Sequence, residues 1–284
     1  MGAFVTAFLL IYLLIGPGVV LAIWMSLRSQ RAPILLIEPL DIGRIIGNSF
    51  EAFVALGWPM LLFAALIVGL SHAGWTHLYE TALFPRIRTG VISRFQTAGY
   101  TYAASFVLRV VEEIFKVPAI ILLVGKYRGQ PVSLRSAVSD LPFLFFPVVA
   151  LSLLQFLSVA LGGALFIVPG ILVYLSWAVA GPALVVERIG ILAAFRRSRS
   201  LTTGSRGRIL MAVLLYIAIV LGFWAPELLA RHFIPGAYWP IRIYSGALQI
   251  FAAVLATGFT AALYVELTRT REGLSSPGLA EVFA

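Results

Sequence analysis

The fold of this chain is decided by the stretch GGALFIVPGILVYLSWAVAGPALVVERIGILAAFRRSRSLTTGSRGRI, residues 162–209. Its apolar sequence is interrupted at Val168-Pro169-Gly170, resumes at membrane length, and stops at Glu187-Arg188, where an arginine-rich amphipathic segment follows. A helix needs about 20 apolar residues to cross the hydrocarbon core of a bilayer. The passage therefore predicts a helical hairpin that leaves the membrane at a basic, cytoplasmic face.

The composition excludes most classes of soluble protein. The chain has 284 residues, of which 61% are hydrophobic and 12% charged, whereas soluble domains carry about 25% charge. The absence of cysteine excludes disulfides, thiolate metal sites and cysteine nucleophiles. The net charge of +9 comes from arginines in short segments beside apolar runs. This placement favours anionic lipid headgroups over nucleic acid as the partner.

Seven apolar segments predict an all-α integral membrane fold. The first forms an N-terminal anchor within residues 1–30, because it lacks a basic n-region and exceeds the roughly 7–15 residues of a signal-peptide core. The alternative is a cleaved signal peptide. The other six segments form three hairpins. The seven predicted spans are 3–26, 52–71, 102–124, 142–163, 169–187, 209–230 and 243–266.

The distribution of basic residues orients these spans. With the N-terminus outside, the inner segments carry 14 Lys and Arg and the outer loops carry 5. The positive-inside rule therefore places the C-terminus in the cytoplasm. The inner residues are Arg28, Arg31, Arg44, Lys126, Arg128, Arg135, Arg188, Arg196, Arg197, Arg199, Arg206, Arg208, Arg269 and Arg271; the outer ones are Arg86, Arg88, Arg94, Arg231 and Arg242.

A short amphipathic stretch on the cytoplasmic side precedes each hairpin, at residues 39–50, 131–140 and 189–201. Asp41 and Ser133 stand where N-caps would begin the first two. We therefore predict a unit of interfacial helix plus hairpin, used three times within a six-span domain at 36–270 and followed by a short cytoplasmic tail at 271–284. The alternative is that such stretches precede spans in any multi-span protein.

Three places in the chain resemble the YciC-like inner-membrane family, which overlaps with the membrane domain of glycerophosphoryl diester phosphodiesterases. Glu38–Phe50 is similar to the opening segment of the family, and Lys126–Ala137 is similar to its central loop. The most recognisable pattern comprises Pro169-Gly170, Trp177, Pro182, Glu187, Arg197-Ser198, Leu201-Thr202 and Gly204. The chain departs from the pattern at Gly207, where the family would have an aromatic residue.

The resemblance covers about residues 36–270 and implies an all-helical bacterial inner-membrane protein. It does not imply diesterase activity. The catalytic part of those phosphodiesterases is a separate TIM barrel with acidic and histidine metal ligands, and this chain has no room for one.

The strongest electrostatic feature is the arginine cluster formed by Arg196, Arg197, Arg199, Arg206 and Arg208. These residues are our candidates for contact with lipid headgroups or phosphate, because the Arg guanidinium forks onto phosphate oxygens. The alternative is that they only set the topology through the positive-inside rule.

The third predicted span contains four charged residues, Arg109, Glu112, Glu113 and Lys116. Charges inside a span are costly and usually face a protein interior or a water-filled cavity. Their spacing lets them pair on adjacent turns, so they are our candidates for an intramembrane polar site. The alternatives are mutual neutralisation as packing contacts, or a position of residues 97–116 partly in the interface.

Two further groups of residues have structural interpretations. Pro169, Gly170 and Glu187 form a predicted structural elbow, in which Glu187 pairs with an arginine. The candidate partners of Glu187 are Arg188, Arg196 and Arg197. His72, His77 and Glu80 lie in a predicted outer loop, but their spacing matches no zinc motif.

The chain contains no P-loop, nucleophile elbow, HExxH or paired-Cys motif. We therefore expect a non-enzymatic, multi-pass protein of the bacterial plasma (inner) membrane with no cofactor or metal. Its expected role is envelope maintenance or membrane assembly, through contact with lipids or a membrane-protein partner. A small-solute or lipid transporter or channel that uses the third span is the alternative. A lipid phosphodiesterase would require Glu187, Glu227, His232 and Glu266 to converge.

Overall fold

The computed structural model describes residues 40–90, 93–130, 132–165, 167–233 and 238–272. The predicted N-terminal anchor and nearly all of the predicted C-terminal tail lie outside these residues. Every regular element in the described part of the chain is helical. The α-helices are α1 (Ile42–Ala64), α2 (Leu70–Leu78), α3 (Phe84–Arg88), α4 (Arg94–Tyr127), α5 (Leu134–Ser139), α6 (Leu141–Leu165), α7 (Ile167–Ser176), α8 (Ala180–Glu187), α9 (Ile191–Thr202), α10 (Arg206–Phe233) and α11 (Tyr238–Glu272).

Five stretches of helix are long and apolar enough to cross a membrane. They are Ile42–Arg88, Leu141–Val159, Val168–Glu187, Arg206–Ala230 and Trp239–Glu272. Each contains or closely overlaps one of the predicted spans, so membrane-length apolar helices are confirmed at these five places. The predicted span 102–124 lies within the helix α4, but its charged residues keep that helix out of this set.

The prediction of an outer loop directly after residue 71 is wrong. Helix continues to Arg88, through two π-helical stretches at Ala65–Gly69 and Tyr79–Leu83. The boundary between the amphipathic stretch 39–50 and the second predicted span, 52–71, also differs from the prediction. Helix α1 bends at Gly57, which has φ 69° and ψ 171°, and not near residue 51. Glycine tolerates this backbone conformation because it has no Cβ.

The hairpin between α6 and α7 follows the prediction closely. A Cβ on Gly162 would lie 3.0 Å from the Cα of Gly170, so the chain reverses between these two glycines. Helix α7 begins at Ile167, and Pro169 and Gly170 therefore lie in its first turn. Proline is tolerated there because the first amides of a helix have no intrahelical acceptor.

The described chain forms two compact units. The first unit comprises residues 40–45, 150–215 and 263–272, and the second comprises 46–149 and 216–262. The core of the first unit is the buried end of α11, where Tyr264 is 0% exposed. In the second unit, Ser49 and Ala52 of α1 pack directly against Gly258 of α11.

Candidate functional site

Helix α9 carries three of the five predicted lipid-contact arginines and packs against α8 and α7 in the first unit. Its buried residues recur at helical spacing. They are Ala194, Phe195, Ser198, Leu201 and Thr202. The ring of Phe195 lies 4.4 Å from that of Trp177. Helix α9 is therefore docked on the protein along one face and presents its other face outwards.

Helix α9 covers a break in the predicted fifth span, between α7 and α8. Helix α7 ends at Ser176 and α8 begins at Ala180, so the predicted span 169–187 contains a break that hydropathy does not reveal. A break leaves backbone groups without intrahelical partners, which is costly in a membrane protein. Ser198 supplies two of the missing partners. Its Oγ donates to the Ser176 carbonyl at 3.0 Å and accepts from the Val179 amide at 3.3 Å.

Two more side chains complete the hydrogen bonds of this break. Thr202 Oγ1 lies 3.3 Å from the same Ser176 carbonyl, and Gln155 Nε2 donates to the Trp177 carbonyl at 3.2 Å. Gln155 stands alone as an amide within an apolar run, and this was a signal in the sequence that it satisfies buried backbone. The hydrogen bonds from Ser198 and Thr202 to the break thus hold α9 in place.

Glu187 is the centre of a polar clamp at the end of α8. Of its three candidate partners, the structure selects Arg197, whose Nε lies 2.8 Å and 3.0 Å from the two carboxylate oxygens. The hydroxyl of Tyr264 donates to the same carboxylate at 2.8 Å, and Arg197 also bonds to Glu272. Burial acts to lower the pKa of the Arg197 guanidinium, but the hydrogen bonds to both carboxylates hold it above its usual value.

A second ion-pair group lies at the same end of α11. Glu266 is 3% exposed and lies 3.5 Å from Arg44 and 3.4 Å from Arg269. Arg44 is also 3.6 Å from Asp41. Local spacing could reveal the i, i+3 pairs Arg44–Asp41 and Arg269–Glu266, but not the pair of Arg44 with Glu266, because 222 residues separate these two. The ion pairs leave Glu266 neutralised by two arginines.

The predicted arginine cluster therefore separates into residues with different surroundings. Arg197 is bound in the clamp, Arg196 and Arg199 are exposed on α9, and Arg206 and Arg208 are half-buried at the start of α10. Leu192 is 72% exposed and lies one turn before Arg196. Since residues i, i+4 and i+7 share a helix face, Leu192, Arg196 and Arg199 form one stripe, which we call the basic stripe.

The predicted intramembrane polar site lies in the second unit and gains a histidine. Lys116 Nζ lies 3.5 Å from Glu112 and 3.0 Å from Glu113, as the spacing suggested. His72 Nε2 lies 3.3 Å from Glu112. The side chain of Arg109 is outside the described residues. We use the name α4 cluster for Glu112, Glu113 and Lys116 of α4 together with His72 of α2.

The two π-helical stretches lie beside or include His72 and Glu80, whose side chains contact residues on other helices. A π turn widens the helix and changes the direction of the side chains around it. His72 lies between the two stretches, and Glu80 lies in the second one, where it is 2.6 Å from Arg242. The prediction placed both residues in an outer loop, because hydropathy does not reveal π turns.

Two of the four residues that a lipid phosphodiesterase would require to converge are held in ion pairs. Glu187 and Glu266 are each engaged by arginines, and the side chain of His232 lies outside the described residues. Among the residues that the structure describes, no three His, Asp or Glu side chains form a group that could hold a metal ion.

Comparison with known proteins adds no relative. No family model, no curated protein and no solved structure matches the chain. The likeness to the YciC-like family is carried by the quoted residues alone and stays a prediction.

Proposed function

We propose that the chain is a seven-span protein of the bacterial plasma membrane, with its N-terminus outside and its C-terminus in the cytoplasm. The five long apolar helices supply five spans, and the segment 3–26 supplies the N-terminal anchor. Helix α4 supplies the last, since its 34 residues reach about 50 Å. The ion pairs of the α4 cluster support this crossing, because pairing reduces the cost of charges within a span.

The absence of native cysteine makes this topology directly testable. We expect Thr89→Cys to react with a membrane-impermeant maleimide in intact spheroplasts, and Ser200→Cys to react only after permeabilisation. Both positions are exposed, and the proposed topology puts three crossings between them. If both cysteines react from the same side, an even number of crossings separates them, and the proposed seven-span topology is wrong.

The role that the geometry supports best is non-enzymatic: contact with anionic lipids at the cytoplasmic surface, in envelope maintenance or membrane assembly. The observation that carries this proposal is the basic stripe. The clamp and the helix break hold one face of α9 on the protein, so Arg196 and Arg199 project together with Leu192. This pattern suits an interface at which arginine meets phosphate and leucine meets acyl chains.

Lipid retention tests this role. We expect the full-length protein to retain phosphatidylglycerol over phosphatidylcholine in native mass spectrometry, and the double variant Arg196→Gln/Arg199→Gln to lose this preference about fivefold per arginine. The matched control is Arg86→Gln/Arg88→Gln, which removes two exposed arginines from α3. Equal losses in the two double variants would contradict a specific role of the basic stripe.

A transporter or channel is the second candidate, and the α4 cluster favours it. His72 is 14 residues beyond Trp58 and Glu112 is 15 residues before Tyr127, which places the cluster about 20 Å along each helix from its cytoplasmic end. A pathway would make this depth accessible to water. His72→Cys should then react with a cationic, impermeant thiol reagent. No reaction, under conditions that label Thr89→Cys, would exclude an outward-open pathway to this depth.

A further inference from the structure

The turn between α9 and α10 brings one more arginine to the basic region. Gly204 lies in this turn with φ 83°, and a Cβ added to it would lie 2.9 Å from Nη2 of Arg271. The guanidinium of Arg271 therefore lies directly against the backbone of the turn. Arg206 and Arg208 follow within four residues of Gly204. Three arginines are thus associated with one short turn.

The carboxylates of the first unit are already engaged elsewhere. Within the described chain these are Asp41, Glu187, Glu266 and Glu272, and their ion pairs are with Arg44, Arg197 and Arg269. No carboxylate among the described residues forms an ion pair with Arg206, Arg208 or Arg271. This turn therefore carries three positive charges that the described protein does not neutralise.

Arg206 is half-buried, and one of its nitrogens is a donor without an acceptor. Its Nε is inaccessible to solvent and has no hydrogen-bond partner among the described residues. A buried donor without an acceptor costs free energy, and the cost is larger for charged groups. A bound anion next to this turn would supply the countercharge, through the guanidinium nitrogens of Arg206 that solvent reaches.

We propose that Arg206, Arg208 and Arg271 form a phosphate-binding site beside Gly204. The arginine fork matches the geometry of phosphate oxygens and donates charge-assisted hydrogen bonds to them. The phosphate belongs either to the headgroup of an anionic lipid or to a soluble phosphate compound. The site is distinct from the basic stripe, and it rests on the proposed function only for its position at the cytoplasmic surface.

The test measures thermal unfolding of the full-length protein in phosphatidylcholine nanodiscs. One arm titrates inorganic phosphate, and the other replaces part of the lipid with phosphatidic acid. We expect stabilisation in at least one arm. A response to inorganic phosphate assigns the site to a soluble compound, whereas a response to phosphatidic acid alone assigns it to a lipid headgroup.

Two variants connect the response to this site. Arg271→Gln should lower the apparent affinity about tenfold. Gly204→Ala should weaken binding without removing a charge, because its Cβ would displace Arg271. The midpoint without ligand reports whether each variant is folded. Arg196→Gln/Arg199→Gln serves as the control and should retain the response.

Two results would overturn the inference. One is the absence of stabilisation in both arms. The other is wild-type binding by both Arg271→Gln and Gly204→Ala. Either result would leave the proposed function intact if Arg196→Gln/Arg199→Gln still loses its preference for phosphatidylglycerol. Conversely, binding at the turn in a protein whose basic stripe has no lipid preference would contradict the proposed function alone.

Discussion

Replacing Gly258 with alanine is expected to lower the free energy of unfolding by about 1–3 kcal/mol. A Cβ at this position would lie 2.7 Å from the Cβ of Ala52 and 2.9 Å from the carbonyl oxygen of Ser49. The second contact is with backbone, which cannot move as a side chain can. Helices α1 and α11 would therefore have to separate within the second unit, and their neighbouring contacts would weaken.

The same helix offers a matched control. A Cβ on Gly246 would have no atom within 4 Å, so Gly246→Ala should cost nothing and should gain up to about 1 kcal/mol from helix propensity. Thermal unfolding of both variants in the same detergent measures the difference. If Gly258→Ala is as stable as Gly246→Ala, the close approach of α1 and α11 is wrong.

The substitution Arg197→Leu is expected to cost about 1–3 kcal/mol of unfolding free energy. It would leave Glu187 and Glu272 without the cation that they share, and Tyr264 alone would donate to Glu187. Arg197 and Glu187 are 28% and 25% exposed, so the cost is smaller than for a fully buried pair. Detachment of α9 from α8 should accompany the loss, with faster proteolysis after the arginines of α9.

The adjacent arginine gives the control for this prediction. Arg196 is exposed and forms no ion pair with any described residue, so Arg196→Leu should change stability little. In a double-mutant cycle, Glu187→Leu and Arg197→Leu should couple by about 1 kcal/mol or more, because the two residues are in direct contact. Additive losses would mean that the clamp contributes no pairwise energy.

Several parts of the fold follow from local sequence, because hydropathy and helical spacing act over a few turns. The five apolar helices, the reversal next to Pro169, and the pairing of Lys116 with Glu112 and Glu113 are of this kind. In each case, the residues that decide the structure are neighbours along the chain. The length of an apolar run or an i, i+4 spacing is then sufficient.

The candidate site could be predicted only in part. The arginine cluster was visible as composition, and Glu187 with Arg197 was one of three possible pairs. The sequence could not show that Arg197 is held by Glu187 and Glu272 while Arg196 and Arg199 face outwards. That difference depends on which face of α9 is docked, and the docking surface includes residues far along the chain.

By itself, the sequence predicted an all-helical fold with membrane-length apolar helices, which the described residues confirm, and a basic segment after residue 187. Only the tertiary structure decided that the fifth apolar segment breaks at residues 177–179, that Ser198 satisfies the break, and that His72 joins Glu112. The physical reason is the distance along the chain over which each interaction acts. Burial of an apolar run is a property of the run, whereas a hydrogen bond or ion pair needs a partner that only folding brings near.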